Sequence, residues 1–217
     1  HPTGTVTVTL DAAKQASYVF AVDPAWDHIA WNESLALLAR KCKAVCFGTL
    51  AQRAPTSRRT VREFLENTSP DCLRIFDVNL RQGFFSREII ESSLGFANIF
   101  KLNNDEVPAV AELLGLPMEE KAFVLSVAQR FDLHTVALTR GSAGSLVWHK
   151  GAYDEKKAPK VAVVDTVGAG DSFTAALAIG LLRGEDLSRL HQRAVDVAAF
   201  VCTKAGATPE LLAEFRR

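Results

Sequence analysis

The chain has 217 residues, 48% of them hydrophobic, with 25 basic and 25 acidic side chains, enough to bury one large core but hardly two. A formal net charge of zero gives no basic face for nucleic acid and no bulk attraction to an anionic membrane surface. No apolar run approaches the roughly 20 residues that span a bilayer, and His1-Pro2-Thr3-Gly4 carries neither the basic nor the apolar region of a signal peptide. The expected protein is cytoplasmic. Four scattered cysteines, Cys42, Cys46, Cys72 and Cys202, make neither a disulfide scaffold nor a zinc site, so buried free thiols are expected. The histidines at 1, 28, 134, 149 and 191 form no visible constellation.

Residues 3–10 alternate apolar and polar side chains, 11–16 form a polar turn-like interval, and 17–22 resume extended character. This predicts a β-hairpin with one wet face. From about Trp26, short apolar runs alternate with longer segments of helical period, the pattern of a parallel sheet covered by helices. Strands are expected at 44–47, 73–78, 98–102, 135–139, 145–148 and 160–164. Helices are expected near 31–40, 57–67, 86–96, 104–114, 119–131, 171–183 and 188–204. In the next-to-last helix Phe173, Leu177 and Leu181 recur every fourth residue with Ala176 and Gly180 beside them, a face small enough to lie close on a sheet. The expected division is a hairpin over 1–25 and an α/β core over 26–217.

The chemistry concentrates in Val164-Asp165-Thr166-Val167-Gly168-Ala169-Gly170-Asp171, where an expected buried strand meets a glycine-bracketed turn that opens a helix. Helix N-termini carry unused amide donors and partial positive charge, so the amides of Gly168, Ala169 and Gly170 suit a phosphoryl group. Asp171, just past the turn, could accept a proton from an attacking hydroxyl. Equally, Asp171 or Ser172 could do no more than cap the helix.

The run Asp165-Thr166-Val167-Gly168-Ala169-Gly170-Asp171 resembles the second signature of the ribokinase-like (PfkB) family of carbohydrate kinases, and four other segments agree in order. Asp77-Val78-Asn79-Leu80-Arg81 resembles a D-x-N-x-R segment, Asn103-Asn104-Asp105-Glu106 an N-x-x-E motif, Thr139-Arg140-Gly141-Ser142-Ala143-Gly144 a T-x-G-x-x-G nucleotide loop, and Lys204-Ala205-Gly206-Ala207 the late Gly-Ala segment. Taken singly, the glycines of 139–144 suit a plain β-turn, Asn103 and Glu106 a capping box, and Asp77 and Arg81 an ion pair.

The resemblance implies an α/β, ribokinase-like fold: a central, mostly parallel sheet flanked by helices, with the hairpin as the remnant of a small lid. It implies transfer of the γ-phosphoryl group of ATP to a sugar hydroxyl. Asp171 would take the acceptor's proton while the amides of Gly168, Ala169 and Gly170 stabilise charge. Asn103 and Glu106 would place Mg²⁺ through water. Thr139, Gly141, Gly144, Asn103, Gly206 and Ala207 would contact the nucleotide, with Arg140 a phosphate neighbour. Asp77, Asn79 and Arg81, with Asp171, would hold the acceptor, and Asp165 could hold a monovalent cation, K⁺.

Pro2-Thr3-Gly4-Thr5, Ala25-Trp26-Asp27, 47–53 and 77–81 look most like the bacterial fructokinase-type branch, so fructose or a related ketose is the expected small-molecule acceptor. Ketodeoxygluconate, ribose or a nucleoside come next, and a truncated, non-catalytic binding protein is the alternative class. Trp26 and Phe47 are expected in the core rather than against a sugar. Lid strands of the family often pair between subunits, which implies a homodimer. The resemblance covers only the later two-thirds or so of a family member, so the chain is expected to be a fragment of a longer kinase with bare strand edges and apolar faces.

Overall fold

The computed structural model describes residues 1–10 and 16–216. Alternating Thr and Val give β1 (Val6–Leu10), which pairs antiparallel with β2 (Ala16–Phe20), Val6 opposite Phe20. The expected turn falls on 11–15, outside the described residues, and Ala16 already belongs to β2.

The second sheet has six strands lying side by side in chain order: β3 (Ala44–Phe47), β4 (Leu73–Asp77), β5 (Ile99–Asn103), β6 (Thr135–Thr139), β7 (Ser145–His149) and β8 (Ala152–Lys156). The first four are mutually parallel, while β7 and β8 return antiparallel. Helix α1 (Glu33–Lys41) leads into β3, and α2 (Pro55–Glu66), α3 (Arg87–Phe96), α4 (Val107–Leu114) and α5 (Glu120–Arg130) connect the parallel strands. Helices α6 (Ala169–Leu182) and α7 (Leu187–Cys202) follow the sheet. Their starts are marked in the sequence: Asn32, Ser86 and Asp186 each accept a backbone N–H from three residues on, and Pro55 opens α2.

Because successive strand residues point to opposite faces, the apolar runs fill two cores. Phe76, Phe100, Val136 and Leu138 face one layer with Ile90, Val110, Phe123 and Val127 of α3, α4 and α5. Ala137 and Val147 face the other with Phe173 and Leu177 of α6 and Leu190 and Ala194 of α7. Rings of Phe47, Phe76 and Phe100 stack across three adjacent strands at 5.4 and 5.6 Å, so Phe47, itself half-buried, packs against the edge of the core. The α6–α7 contact depends on Gly180, where a Cβ would lie 2.5 Å from that of Leu190.

Three expectations are corrected. Lys160–Val164 is not a strand: β8 ends the sheet with no partner beyond it among the described residues, and Val163 and Val164 are 62% and 63% exposed. The thiols are not uniformly buried. Cys72 is, but Cys46 is exposed because β3 is an edge strand, and Cys42 and Cys202 are half-buried. Nor are the histidines without company, since the Nε2 of the fully buried His191 lies 2.7 Å from Ser145 Oγ and its Nδ1 2.7 Å from Asp154 Oδ2, joining α7 to β7 and β8.

Candidate active site

In a parallel sheet the functional groups collect beyond the carboxyl ends of the strands. Strand register does this here: Asp77 of β4 is opposite Lys101 of β5, and Asn103 of β5 is opposite Thr139 of β6. The N-terminus of α6 packs above them. Gly168 caps that helix in the left-handed conformation (φ 80°), and a Cβ there would fall 2.4 Å from Ala207 O, so the position takes only glycine. Ser172 is the first residue after the turn whose N–H returns to Gly168 O (2.9 Å), leaving Gly170 and Asp171 with the donors a helix does not use itself. Ala169 N–H makes a long bond to Thr166 O, 3.3 Å. Asp171 lies in this first turn with its side chain exposed.

Directly beneath the turn is a buried ion pair that sequence reading missed. Lys101 Nζ lies 2.9 Å from Asp77 Oδ2 and 3.2 Å from Oδ1, and Thr174 Oγ1 of α6 approaches the same carboxylate at 3.5 Å. A Cβ on Gly170 would be 3.1 Å from Lys101 Nζ, so the missing side chain leaves the ammonium close under the helix N-terminus. Burial raises the Asp77 carboxyl above its ordinary range. Lys101 pulls it back, and the charge of Asp171 adds to the rise. The available signal was a lysine inside an otherwise apolar strand, Ile99-Phe100-Lys101-Leu102. Asp77 therefore pairs with Lys101 and not with Arg81, which is exposed and donates to Leu80 O at 3.3 Å.

Glu106 is buried and divides its two oxygens: Oε1 accepts Leu80 N–H and Oε2 accepts Asn103 N–H, both at 2.8 Å. Asn103 Oδ1 returns the bond to Glu106 N–H at 3.0 Å. The reciprocal bonds of a capping box are thus present in the turn ahead of α4, whose N-cap is Glu106 rather than Asn103, and the same carboxylate ties the loop carrying Asn79 and Arg81 to the end of β5. Burial raises the Glu106 pKa. Its free lone pairs suit a water shell better than direct ligation, which fits a largely hydrated Mg²⁺.

Asp165 joins two loops, accepting Val167 N–H at 3.0 Å and Gly206 N–H at 3.1 Å, and these bonds lower its pKa. Beside that junction a cavity of about 320 Å³ opens between α6, α7 and the last segment, lined by Gly168, Asp171, Ile179, Val197, Ala207 and Phe215 among others. The glycines of 139–144 shape the β6–β7 turn. Gly144 (φ 102°) accommodates Lys156 O, which a Cβ would meet at 2.0 Å, and Arg140 is taken up by Glu120 (2.7 Å) and Glu155 (3.2 Å) rather than left for phosphate.

The segments flanking the hairpin also converge. Arg53 donates to both oxygens of Asp27 at 2.8–3.1 Å and lies over the rings of Phe84 and Trp26 at 4.7 and 5.7 Å. Trp26 is half-buried rather than in the core, and its ring occupies the space where a Gly4 Cβ would be.

The description "pfkB family carbohydrate kinase" matches residues 1–213. The fructokinase of Salmonella typhimurium is 30% identical over 188 residues, covering 83% of this chain and 59% of its own. An uncharacterized sugar kinase of Pyrococcus horikoshii, PH1459, is 30% identical over 213 residues, covering 94% of this chain and 64% of its own. The crystal structure of that kinase in complex with ATP superposes with a TM-score of 0.77 at 27% identity, over 94% of this chain and 66% of the other. The 2-dehydro-3-deoxygalactonokinase of Haloferax volcanii is 31% identical over 135 residues, 60% of this chain and 42% of its own. The chain thus spans about three-fifths of the length of the first two curated relatives. With a family match that runs almost end to end, over residues 1–213, the chain belongs to the pfkB family of carbohydrate kinases.

Proposed function

We propose that this chain carries the catalytic core of an ATP-dependent sugar kinase, with fructose or a related ketose as acceptor. The observation that carries the reading is Asp171, an exposed carboxylate in the first turn of α6 beside unused amides and above the buried Lys101–Asp77 pair. Asp171 accepts the proton of the attacking hydroxyl, which makes that oxygen a better nucleophile. The amides of Gly170 and Asp171, with the weakly engaged Ala169, hold negative charge on the transferred group, and Lys101 adds a fixed positive charge under them. Mg²⁺, when bound, supplies charge neutralisation on the phosphates, and Asn103 and Glu106 would hold its water shell.

The largely apolar cavity beside Ala207 is suited to the flat base of the nucleotide. Thr139 and Gly141 border the phosphates, Asn79 and Arg81 face the acceptor, and Asp165 with the Gly206 loop takes K⁺. The hairpin β1–β2 forms the lid and the contact of a homodimer, and the enzyme works in the cytoplasm. The likeness to a 2-dehydro-3-deoxygalactonokinase favours a ketodeoxy sugar acid as the second acceptor class.

The test is Mg²⁺-dependent release of ADP from ATP with fructose, ribose, ketodeoxygluconate and adenosine in turn. Stimulation by fructose is expected, and Asp171→Asn should lower turnover by about 10²- to 10⁴-fold, the usual contribution of a general base, with ATP affinity little changed. Stimulation by ketodeoxygluconate alone would transfer the assignment to the second class. Nucleotide binding without stimulation by any acceptor would favour a binding protein.

A further inference from the structure

A second group of chemically active side chains lies on elements that contribute nothing to the Asp171 turn. His1 precedes β1, whereas Asp23 and His28 follow β2, so closure of the hairpin brings the three together. Backbone bonds fix this meeting: Ala21 N–H donates to Thr5 O at 3.0 Å and Ala25 N–H to Pro2 O at 2.8 Å. His1 Nδ1 lies 3.2 Å from Asp23 Oδ2, and His28 Nε2 contacts Asp23 Oδ1. The two imidazoles stack face to face, centroids 3.4 Å apart and planes 5° from parallel. All three ligating atoms fall within 4.8 Å of one another, and among the described residues no other set of three His, Cys, Asp or Glu does so.

The chemistry narrows what such a set can take. A neutral imidazole offers one lone-pair nitrogen, and here the Asp23 carboxylate faces both rings. Two imidazole nitrogens and one carboxylate oxygen match the ligand preference of Zn²⁺ and its borderline neighbours, whereas Mg²⁺ and Ca²⁺ prefer oxygen alone. All three side chains are exposed, so the rings can turn until their lone pairs converge, and water can complete a tetrahedral shell.

We propose that His1, Asp23 and His28 bind a transition-metal dication of the Zn²⁺ or Co²⁺ class, and that the ion clasps the two stems of the β1–β2 hairpin. The site shares no residue with the phosphate cradle, so its test is independent of the kinase reading.

The experiment is a Co²⁺ titration of the full chain followed by the visible absorption of the bound ion, with Zn²⁺ as competitor. Expected are saturation at one equivalent, displacement by Zn²⁺ but not by excess Mg²⁺, and slower amide hydrogen exchange in β1 and β2 on Zn²⁺ addition. His28→Ala and Asp23→Asn should each weaken binding by at least about 10-fold, since even outer partners of metal ligands contribute that much. Absence of saturable binding would overturn the proposal. So would undiminished affinity in both variants, which would assign the ion to other groups.

Discussion

At the scale of single residues, the contrast between Asp77 and Asp171 is instructive. Both are aspartates near one helix terminus, yet Asp77 is buried against an ammonium while Asp171 is open to solvent. That difference separates a carboxylate held in an ion pair from the one proposed to move a proton. Lys101→Met should therefore leave Asp77 as an uncompensated buried charge and destabilise the fold by about 3–5 kcal/mol. Lys101→Met with Asp77→Asn should recover much of the loss, which thermal or urea unfolding of the two variants would measure. Asp171 was legible because a glycine-bracketed turn announces it, and Asp77 because it ends a strand. Lys101 was not legible as a site residue: only the register of β4 against β5 and the missing Cβ of Gly170 place its ammonium there.

At the scale of elements, the site depends on how loops are tied to strand ends. Gly168→Ala would introduce a left-handed alanine whose Cβ meets the Ala207 backbone at 2.4 Å, a strain of about 1–3 kcal/mol. Its relief must move the Asp165–Gly206 junction, so a lowered melting temperature together with a raised KM for ATP is expected. Glu106→Gln exchanges one acceptor oxygen for an NH₂ group that faces a backbone N–H of either Leu80 or Asn103. The loop 79–81 should loosen by about 1–3 kcal/mol, and hydrogen exchange at Leu80 together with the Mg²⁺ requirement should change. A Mg²⁺ curve superimposable on the parent's would leave Glu106 a purely structural brace. The motif at 139–144 has the turn duty its glycines allowed, and Gly144 also makes room for the strand end at Lys156.

At the scale of the whole molecule, the buried Asp154–His191–Ser145 chain couples stability to pH. Burial holds the His191 pKa below its ordinary 6.5 although Asp154 pulls it up. The unfolded chain therefore binds a proton where the folded one does not, and stability falls as the pH drops below about 6.5. His149, also lowered chiefly by burial, acts in the same direction. Asp77 and Glu106, raised by burial above 3.8 and 4.5, act oppositely as the pH falls through their raised values. Urea midpoints measured between about pH 7 and pH 5 should decline, and His191→Gln should flatten much of that slope. A decline unchanged in the variant would place the acid sensitivity elsewhere.

The sequence by itself determined the hairpin, most of the helix spans, five of the six core strands and the glycine-bracketed turn that opens α6, because each is written in local periodicity, caps and turn residues. Tertiary structure alone decided the rest. Val161, Val163 and Val164 look like a buried strand, but a strand needs a neighbour, and the sheet has already ended at β8. Cys46 looks like a core thiol, but β3 is the sheet's edge. The Lys101–Asp77 pair, the His191 chain and the His1–Asp23–His28 cluster join residues distant in sequence, and no local pattern encodes which strand ends and loops will meet.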